Sequence, residues 1–475
     1  MIADLRSYPE YKKSNIGWLE EIPAHWGPSS VKRHFEIRLG KMLQNAPHAS
    51  DDVIVQYLKA QHVQWSGAKV SDLPRMWASS RDILQYGVKK GDLLVCEGGE
   101  GGRCAILGDI NAVVIIQNAL HRVRPKSANL NHYLAYVMKT VASIGWFDAI
   151  NDKATIAHFT RDEFGNLGIP IPPLEEQTAI VQYLDLATGL IDGVMRNKRK
   201  MVKLLNEQKL AIIHQTVTRG LDPMVNFKPS DIPWLDEIPE HWVEKPLKHW
   251  ARINVHTLGE TTNPLYTFQY IDIGTVEAGR LVRKPAQYQF ANAPSRARRI
   301  LTKGDVIVST VRTYLRAIWF VDHEPTNLIA STGFTVLSPN SDVEPEYLSY
   351  IAQDTNFIDR VVANSVGIAY PAISESALSQ LKIALPDSKE EQKRLVLHIK
   401  SQIQPYVAAI SCLECEIDLL HECRTRLIAD IVTGKLDVRE ATARLPAEAV
   451  GSVDEVLDID GLEDVAEFDE REVET

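Results

Sequence analysis

After Pro386, apolar residues fall at Ile399, Ile403, Tyr406, Ile410, Leu413, Ile417, Leu420, Leu427 and Ile431. Only Arg424 breaks the alternating four-three spacing, which is a heptad seam held over several heptads. The same register recurs more weakly at Leu184, Ile191, Met195, Val202, Leu205 and Ile212, with Thr188, Lys198, Lys209 and Thr216 intruding. Each run follows prolines, Pro172-Pro173 and Pro386, that a helix interior excludes, and opens on glutamates that the helix dipole favours. Two long helices are predicted. From Glu175 to Thr216 is 42 residues, about 60 Å of helix at ~1.5 Å per residue. Elsewhere short β-type runs bounded by turn residues alternate with helical patterns. Strands are expected in DLLVCEGG, RCAILG, NAVVIIQ and ALHRVRP, and again in DVIVST, RAIWFV and GFTVLSP. Helices are expected in NLNHYLAYVMKTVA and EPEYLSYIAQDTNFIDRVV.

The two runs belong to a duplication. Residues 18–26 read WLEEIPAHW and residues 234–242 read WLDEIPEHW, identical at seven of nine positions. Three further landmarks recur in order: GVKKGDLLVCEGG with ILTKGDVIVSTVR, IPIPPLEEQTAIV with IALPDSKEEQKRLV, and TVTRGLD with IVTGKLD. A period near 215 residues means two copies of a whole domain. Copies related by a two-fold axis perpendicular to their helices must run those helices antiparallel. An α+β fold follows, with two tandem mixed globular domains, an antiparallel coiled coil as spacer, and circular pseudo-two-fold symmetry. The expected segments are an opening repeat at 1–27, a first domain at 28–168 and a first helical region at 169–222. The second repeat at 223–243, a second domain at 244–384 and a second helical region at 385–437 complete the frame. Residues 438–475 form an acidic tail.

Charge changes the picture once it is located. The net charge is −10, but residues 448–475 hold twelve Asp/Glu and one Arg, so the body is close to neutral. No apolar run reaches the ~20 residues needed to span a bilayer. The N-terminal residues lack an apolar signal core, and five scattered cysteines fit reduced thiols; a cytoplasmic location is expected.

Several chemistries are excluded by spacing. CEGGEGGR (96–103) lacks the Lys-Ser/Thr of a phosphate loop and runs into a β-type segment, so it reads as a hairpin. Asn263-Pro264-Leu265-Tyr266 lacks the second proline of an amino-methyltransferase motif. Pro386-Asp387 with Glu391 and Lys393 lies across a helix start, whereas nuclease carboxylates converge from neighbouring strands. Cys412, Cys415, His421 and Cys423 share one heptad segment, where a zinc finger needs a turn. No metal or catalytic site is expected.

Residues 280–316 contain nine Lys/Arg and a single acid, Asp305, with Tyr288, Phe290 and Tyr314 interleaved. Such a segment can neutralise phosphates, and arginine can read guanine edges. Candidate DNA contacts are Ser309, Thr310, Arg312, Thr313, Tyr314, Arg316, Arg296, Arg298, Arg299 and Tyr370 in copy two. In copy one they are Glu97, Glu100, Arg103 and Lys153. A carboxylate can accept from cytosine N4, so two differing loops on a shared frame would read different bases.

The duplicated W-L-x-E-I-P-x-H-W, the K-G-D pair, the E-E-Q helix entrances and the T-V-T-R-G-L-D and I-V-T-G-K-L-D exits together resemble the specificity subunit of type I restriction–modification systems. The resemblance covers most of residues 15–440. It implies two target-recognition domains, each reading half of a bipartite asymmetric site in double-stranded DNA, with the helices setting the gap. It also implies a chain without a catalytic centre that recruits two modification (methyltransferase) subunits and two restriction subunits. S-adenosylmethionine, ATP and Mg2+ would be bound by those partners, and no cofactor by this chain. Trp18, His25, Trp26, Trp234, His241 and Trp242 of the repeat are the candidate partner-docking residues. The residues also leave open a coiled-coil assembly protein with no sequence-specific DNA binding, and an autonomous nuclease–methyltransferase.

Overall fold

The computed structural model describes residues 5–147, 159–277, 279–367 and 371–445. They fall into two compact units, one from residues up to 197 together with those from 416 onward, the other from 198–415. The division runs through the middle of both long helices, Leu174–Arg219 and Lys389–Val432.

In the first unit four antiparallel strands stand in the order Cys104–Ile106, Leu93–Cys96, Leu120–Pro125, Phe35–Leu39. A second sheet pairs Val114–Ile116 parallel to Val53–Leu58, which pairs antiparallel with Arg75–Ala78. The second unit repeats the order: Ile318–Phe320, Val306–Ser309, Phe334–Pro339, Ala251–Ile253. Its second sheet likewise sets Leu328–Ser331 parallel to Thr267–Ile271, with Ala286–Gln289 antiparallel on the far side. Ala297–Ile300 adds a strand there, where the first unit has the single bridge Gly87–Ile115. The expected runs thus form strands. The helix expected after the first set spans Asn131–Ser143. The second helical pattern becomes two helices, Pro345–Gln353 and Thr355–Ala363, parted at Asp354.

The repeated Lys-Gly-Asp fixes the same turn twice. Gly91 and Gly304 take positive φ, 84° and 91°, a region glycine enters without a Cβ penalty. The buried aspartate then accepts from the backbone three residues back: Lys89 N at 2.9 Å for Asp92, Thr302 N at 2.7 Å for Asp305. Each also ties the turn to the neighbouring strand, Asp92 through Arg124 at 2.6 Å and Asp305 through the Ser338 hydroxyl at 2.6 Å.

The predicted seam is the buried face of both helices. Ile399, Ile410, Leu413, Leu427 and Ile431 are buried, and Ile403, Tyr406, Ile417 and Leu420 half-buried. In the first unit Tyr183, Leu184 and Ala187 share a core with Leu427, Ile428, Ile431 and Val432. In the second, Ile213 and Val217 share one with Leu395, Val396 and Ile399. The start of each helix therefore meets the end of the other, an antiparallel pair. The polar intruders have partners. Thr188 and Thr216 return their hydroxyls to the carbonyls of Leu184 and Ile212, at 2.6 and 2.9 Å. Arg424 reaches Asp192 at 3.2 Å. Burial pushes the Lys209 ammonium down, and Glu414, near it, holds Arg280 bidentately at 2.7 and 2.8 Å. Pro405 lies inside the second helix, where it removes one N–H from the hydrogen-bond ladder.

Candidate nucleic-acid interface

The repeated nine residues build the frame on which the loops stand. Their His-Trp pair binds the second glutamate of the Glu-Glu-Gln helix entrance. Glu176 accepts from Trp26 Nε1 at 3.0 Å and from the Tyr8 hydroxyl, and lies 2.9 Å from His25 Nε2. Glu391 accepts from Trp242 Nε1 at 3.2 Å and lies 3.0 Å from His241 Nε2. The following glutamine pins the next helix. Gln177 Oε1 accepts from Leu130 N at 3.1 Å, and Gln392 Oε1 from Glu344 N at 2.7 Å. Leu130 and Glu344 are the cap residues of Asn131–Ser143 and Pro345–Gln353, so one side chain satisfies an orphan donor at each helix start.

The exits close the circle. Gly434, φ 78°, ends the second helix against Trp26 and Pro23 of the first repeat. Gly220, φ 71°, ends the first helix against Trp242 of the second. Trp26 and Trp242 are buried, which removes them from the docking surface expected of them; their indoles fill the core under the helix exits. His25, His241, Trp18 and Trp234 keep partial exposure. Trp18 donates to the Gly168 carbonyl at 2.8 Å, and Arg360 lies over the Trp234 ring.

Between these fixed points the hairpin loops differ. In the second unit the loop after Val306–Ser309 passes through a short turn, Thr313–Leu315. Arg312 and Arg316 flank it in the left-handed region, φ 49° and 54°. Residues other than glycine occupy that region at a cost that surrounding structure must hold. The hydroxyls supply part of the hold. Ser309 donates to the Val311 carbonyl at 2.6 Å, Thr310 to the Gly333 carbonyl at 2.9 Å, and Thr313 Oγ1 meets Ser365 Oγ at 3.1 Å. All three are buried; as placed they shape the loop from beneath and do not reach its surface. Tyr314 is 53% exposed at the tip, and Arg316 stands 3.9 Å from Asp359. The segment at 371–373 braces the loop, with Arg312 N donating to the Pro371 carbonyl at 2.9 Å. Tyr370, the candidate beside it, lies outside the described residues.

The basic segment divides in two. Arg280 is tied to Glu414, Arg298 lies over the Phe290 ring and Arg299 is 3.8 Å from Glu375. Arg283, Lys284, Arg296 and Lys303 are exposed.

In the first unit residues 97–103 join two antiparallel strands, so this glycine-rich stretch is a hairpin loop. A phosphate cradle needs a helix to follow it, so the residues present do not fit a nucleotide. Glu100 accepts from Trp65 Nε1 at 2.6 Å and from Arg103 at 3.0 Å, and Arg103 donates to the Ala60 carbonyl at 3.2 Å. Glu97 lies 3.7 Å from buried His121, whose ionisation burial disfavours. Lys153 lies outside the described residues. Sequence reasoning did not include Trp65, Tyr8 or the two glutamates among the site-forming residues.

A duplicated sheet frame carrying two unlike loops, with paired helices running out of both, defines a two-domain recognition module. The pattern of the type I restriction modification DNA specificity domain matches residues 80–199 and again 268–403, over half of the chain. The chain therefore belongs to that family: it is a DNA specificity subunit with two target-recognition domains, a non-catalytic component of a type I restriction enzyme. It is 23% identical to the putative MjaX specificity subunit of Methanocaldococcus jannaschii, over 92% of this chain and all of that one. It is 24% identical to the MjaVIII specificity subunit of the same organism, over 74% and 80%. A solved chain from work on assembly and conformational transition of the type I system shares its fold, with a TM-score of 0.58 at 15% identity over 87% of this chain and 99% of that one. Among the described residues no helix is long and apolar enough to cross a membrane.

Proposed function

We propose that each unit reads one half of a split, asymmetric site in double-stranded DNA, and that the paired helices set the gap between the halves. The observation that carries this is the contrast between a shared frame and unlike loops: Arg312, Tyr314 and Arg316 in one, Glu97, Glu100 and Arg103 in the other. Arginine suits guanine O6 and N7, while a carboxylate accepts from cytosine N4. The exposed Arg283, Lys284, Arg296 and Lys303 supply sequence-independent phosphate contacts. Two weak half-sites joined in one chain bind together more tightly than either alone.

In this reading the chain works in the cytoplasm as a scaffold for two modification subunits and two restriction subunits. Those partners supply S-adenosylmethionine, ATP and Mg2+ chemistry. Methylome sequencing of cells expressing this chain with its modification subunit tests the proposal. A two-part motif with an unspecified gap is expected, and exchange of the 310–316 loop should alter one part only. An uninterrupted motif, or loss of both parts together, would overturn it.

A further inference from the structure

Among the described residues one groove in the first unit stands open, while at the repeat-related tryptophan and acid of the second unit two of the chain's own arginines are found. The groove lies between the hairpin bearing Trp18-Leu19-Glu20-Glu21, the helix Asn131–Ser143 and the end of the second long helix, and encloses 640 Å³. Tyr11 and Ile144 on its walls are 38% and 50% exposed. Glu20 and Glu21 stand exposed on its rim, with Lys13 facing Glu21 across the hairpin and Lys435 on the groove wall.

The second copy places Trp234-Leu235-Asp236-Glu237 at the same point of the repeat. There the Arg360 guanidinium lies 5.5 Å from the Trp234 ring centroid, and Arg219 lies 3.7 Å from Glu237. Two of the chain's own arginines thus stand beside the tryptophan and the acid. Among the described residues copy one has neither, and Trp146, packed beside Gly17, stands at the repeat position of Arg360. Thr433-Gly434-Lys435 stands where Thr218-Arg219-Gly220 stands, and Lys435 reaches Asp430 at 3.3 Å.

We propose that the first groove docks an arginine-bearing segment of a partner protein, its guanidinium over Trp18 and beside Glu20 and Glu21, an apolar neighbour against Tyr11 and Ile144. A guanidinium is weakly hydrated, stacks on indole faces and bonds carboxylates in a fork. The paired carboxylates disfavour a nucleic-acid phosphate at this rim. The inference rests on the reading that the chain scaffolds partner subunits, and it names the chemistry by which one of them is held.

The test uses the full chain carrying Glu20→Gln with Glu21→Gln, titrated against purified modification subunit and, separately, purified restriction subunit. Affinity for one of them should fall about tenfold, ~1.4 kcal/mol, and the difference should shrink in high salt. Melting should not change, since both carboxylates are exposed. A photo-crosslinking residue at Ile144 should capture an arginine-containing peptide of that same subunit. Unchanged affinity for both subunits, or crosslinks only to peptides without arginine, would overturn the inference and leave the scaffold reading intact. A wild-type chain that binds neither subunit would remove both.

Discussion

Replacing Glu176 with glutamine should weaken the first unit more than replacing Glu391 weakens the second. Glutamine keeps the volume and removes the charge, so no cavity contributes. Glu176 is 4% exposed and serves three groups: Tyr8, Trp26 and His25. Glu391 is 20% exposed and serves two, His241 and Trp242. A hydrogen bond to a charged group contributes ~1.5–3 kcal/mol against ~0.5–1.5 for a neutral one, so each converted bond loses about 1 kcal/mol. Water screens part of that loss at the more exposed site. The expectation is ~2–3 kcal/mol for Glu176→Gln and ~1 kcal/mol for Glu391→Gln. For units of this size each kcal/mol moves Tm by about 2–4 °C. Calorimetry gives the shifts, and hydrogen exchange shows which helix entrance opens, since a two-unit chain need not melt in one step. Equal shifts, or a larger one for Glu391→Gln, would refute the argument from burial and donor count.

Gly434→Ala should destabilise more than Gly220→Ala: both force alanine to positive φ, but the new Cβ would lie 2.4 Å from Pro23 Cδ in one case and 3.4 Å from Trp242 in the other, and thermal melts would order them. Arg312→Ala should weaken DNA binding by ~1–3 kcal/mol if its guanidinium reads a base, with the methylated motif relaxed in one half only; a uniform loss with a salt slope smaller by ~0.9 would instead mark a phosphate contact. His214 Nδ1 donates to the Asp354 carboxylate at 2.8 Å, and that bond raises its pKa above the usual 6.5. A raised histidine stabilises fully below its unfolded pKa and loses that contribution as pH rises through the folded value. An NMR titration should place His214 above 6.5 and Asp354→Asn should lower it; a midpoint at or below 6.5 would count against the pair.

The long helices were legible because heptad spacing is local: the residues named from spacing, Ile399 through Ile431, are buried or half-buried, and even Arg424 marked a real polar crossing. The repeat was legible as a duplication but not in its work. Trp26 and Glu176 are 150 residues apart, and nothing local couples a His-Trp to a Glu that far along the chain. The basic segment misled in part for the same reason. Arg280 looks solvated until Glu414, 134 residues later, folds against it. Ser309, Thr310 and Thr313 sit in a polar-looking loop, yet their hydroxyls close on backbone carbonyls and a serine brought in from Ser365. The open groove beside Trp18 was invisible, because it depends on arginines that only one copy possesses.

The core of the first unit is finished by residues from the far end of the chain. Leu427, Ile428, Ile431, Val432 and Val438 pack with Tyr8, Ile22, Trp26, Tyr183 and Leu184, and Asp437 N bonds the Arg6 carbonyl at 2.7 Å. The second unit is drawn from one unbroken stretch, 198–415. On a ribosome the first-made domain is therefore the last completed, its hydrophobic face waiting while more than two hundred residues are added. At ~5–20 residues per second that wait lasts about 10–50 seconds. Among the products of this one chain, the species most exposed to misassembly is the nascent subunit whose second helix has yet to emerge.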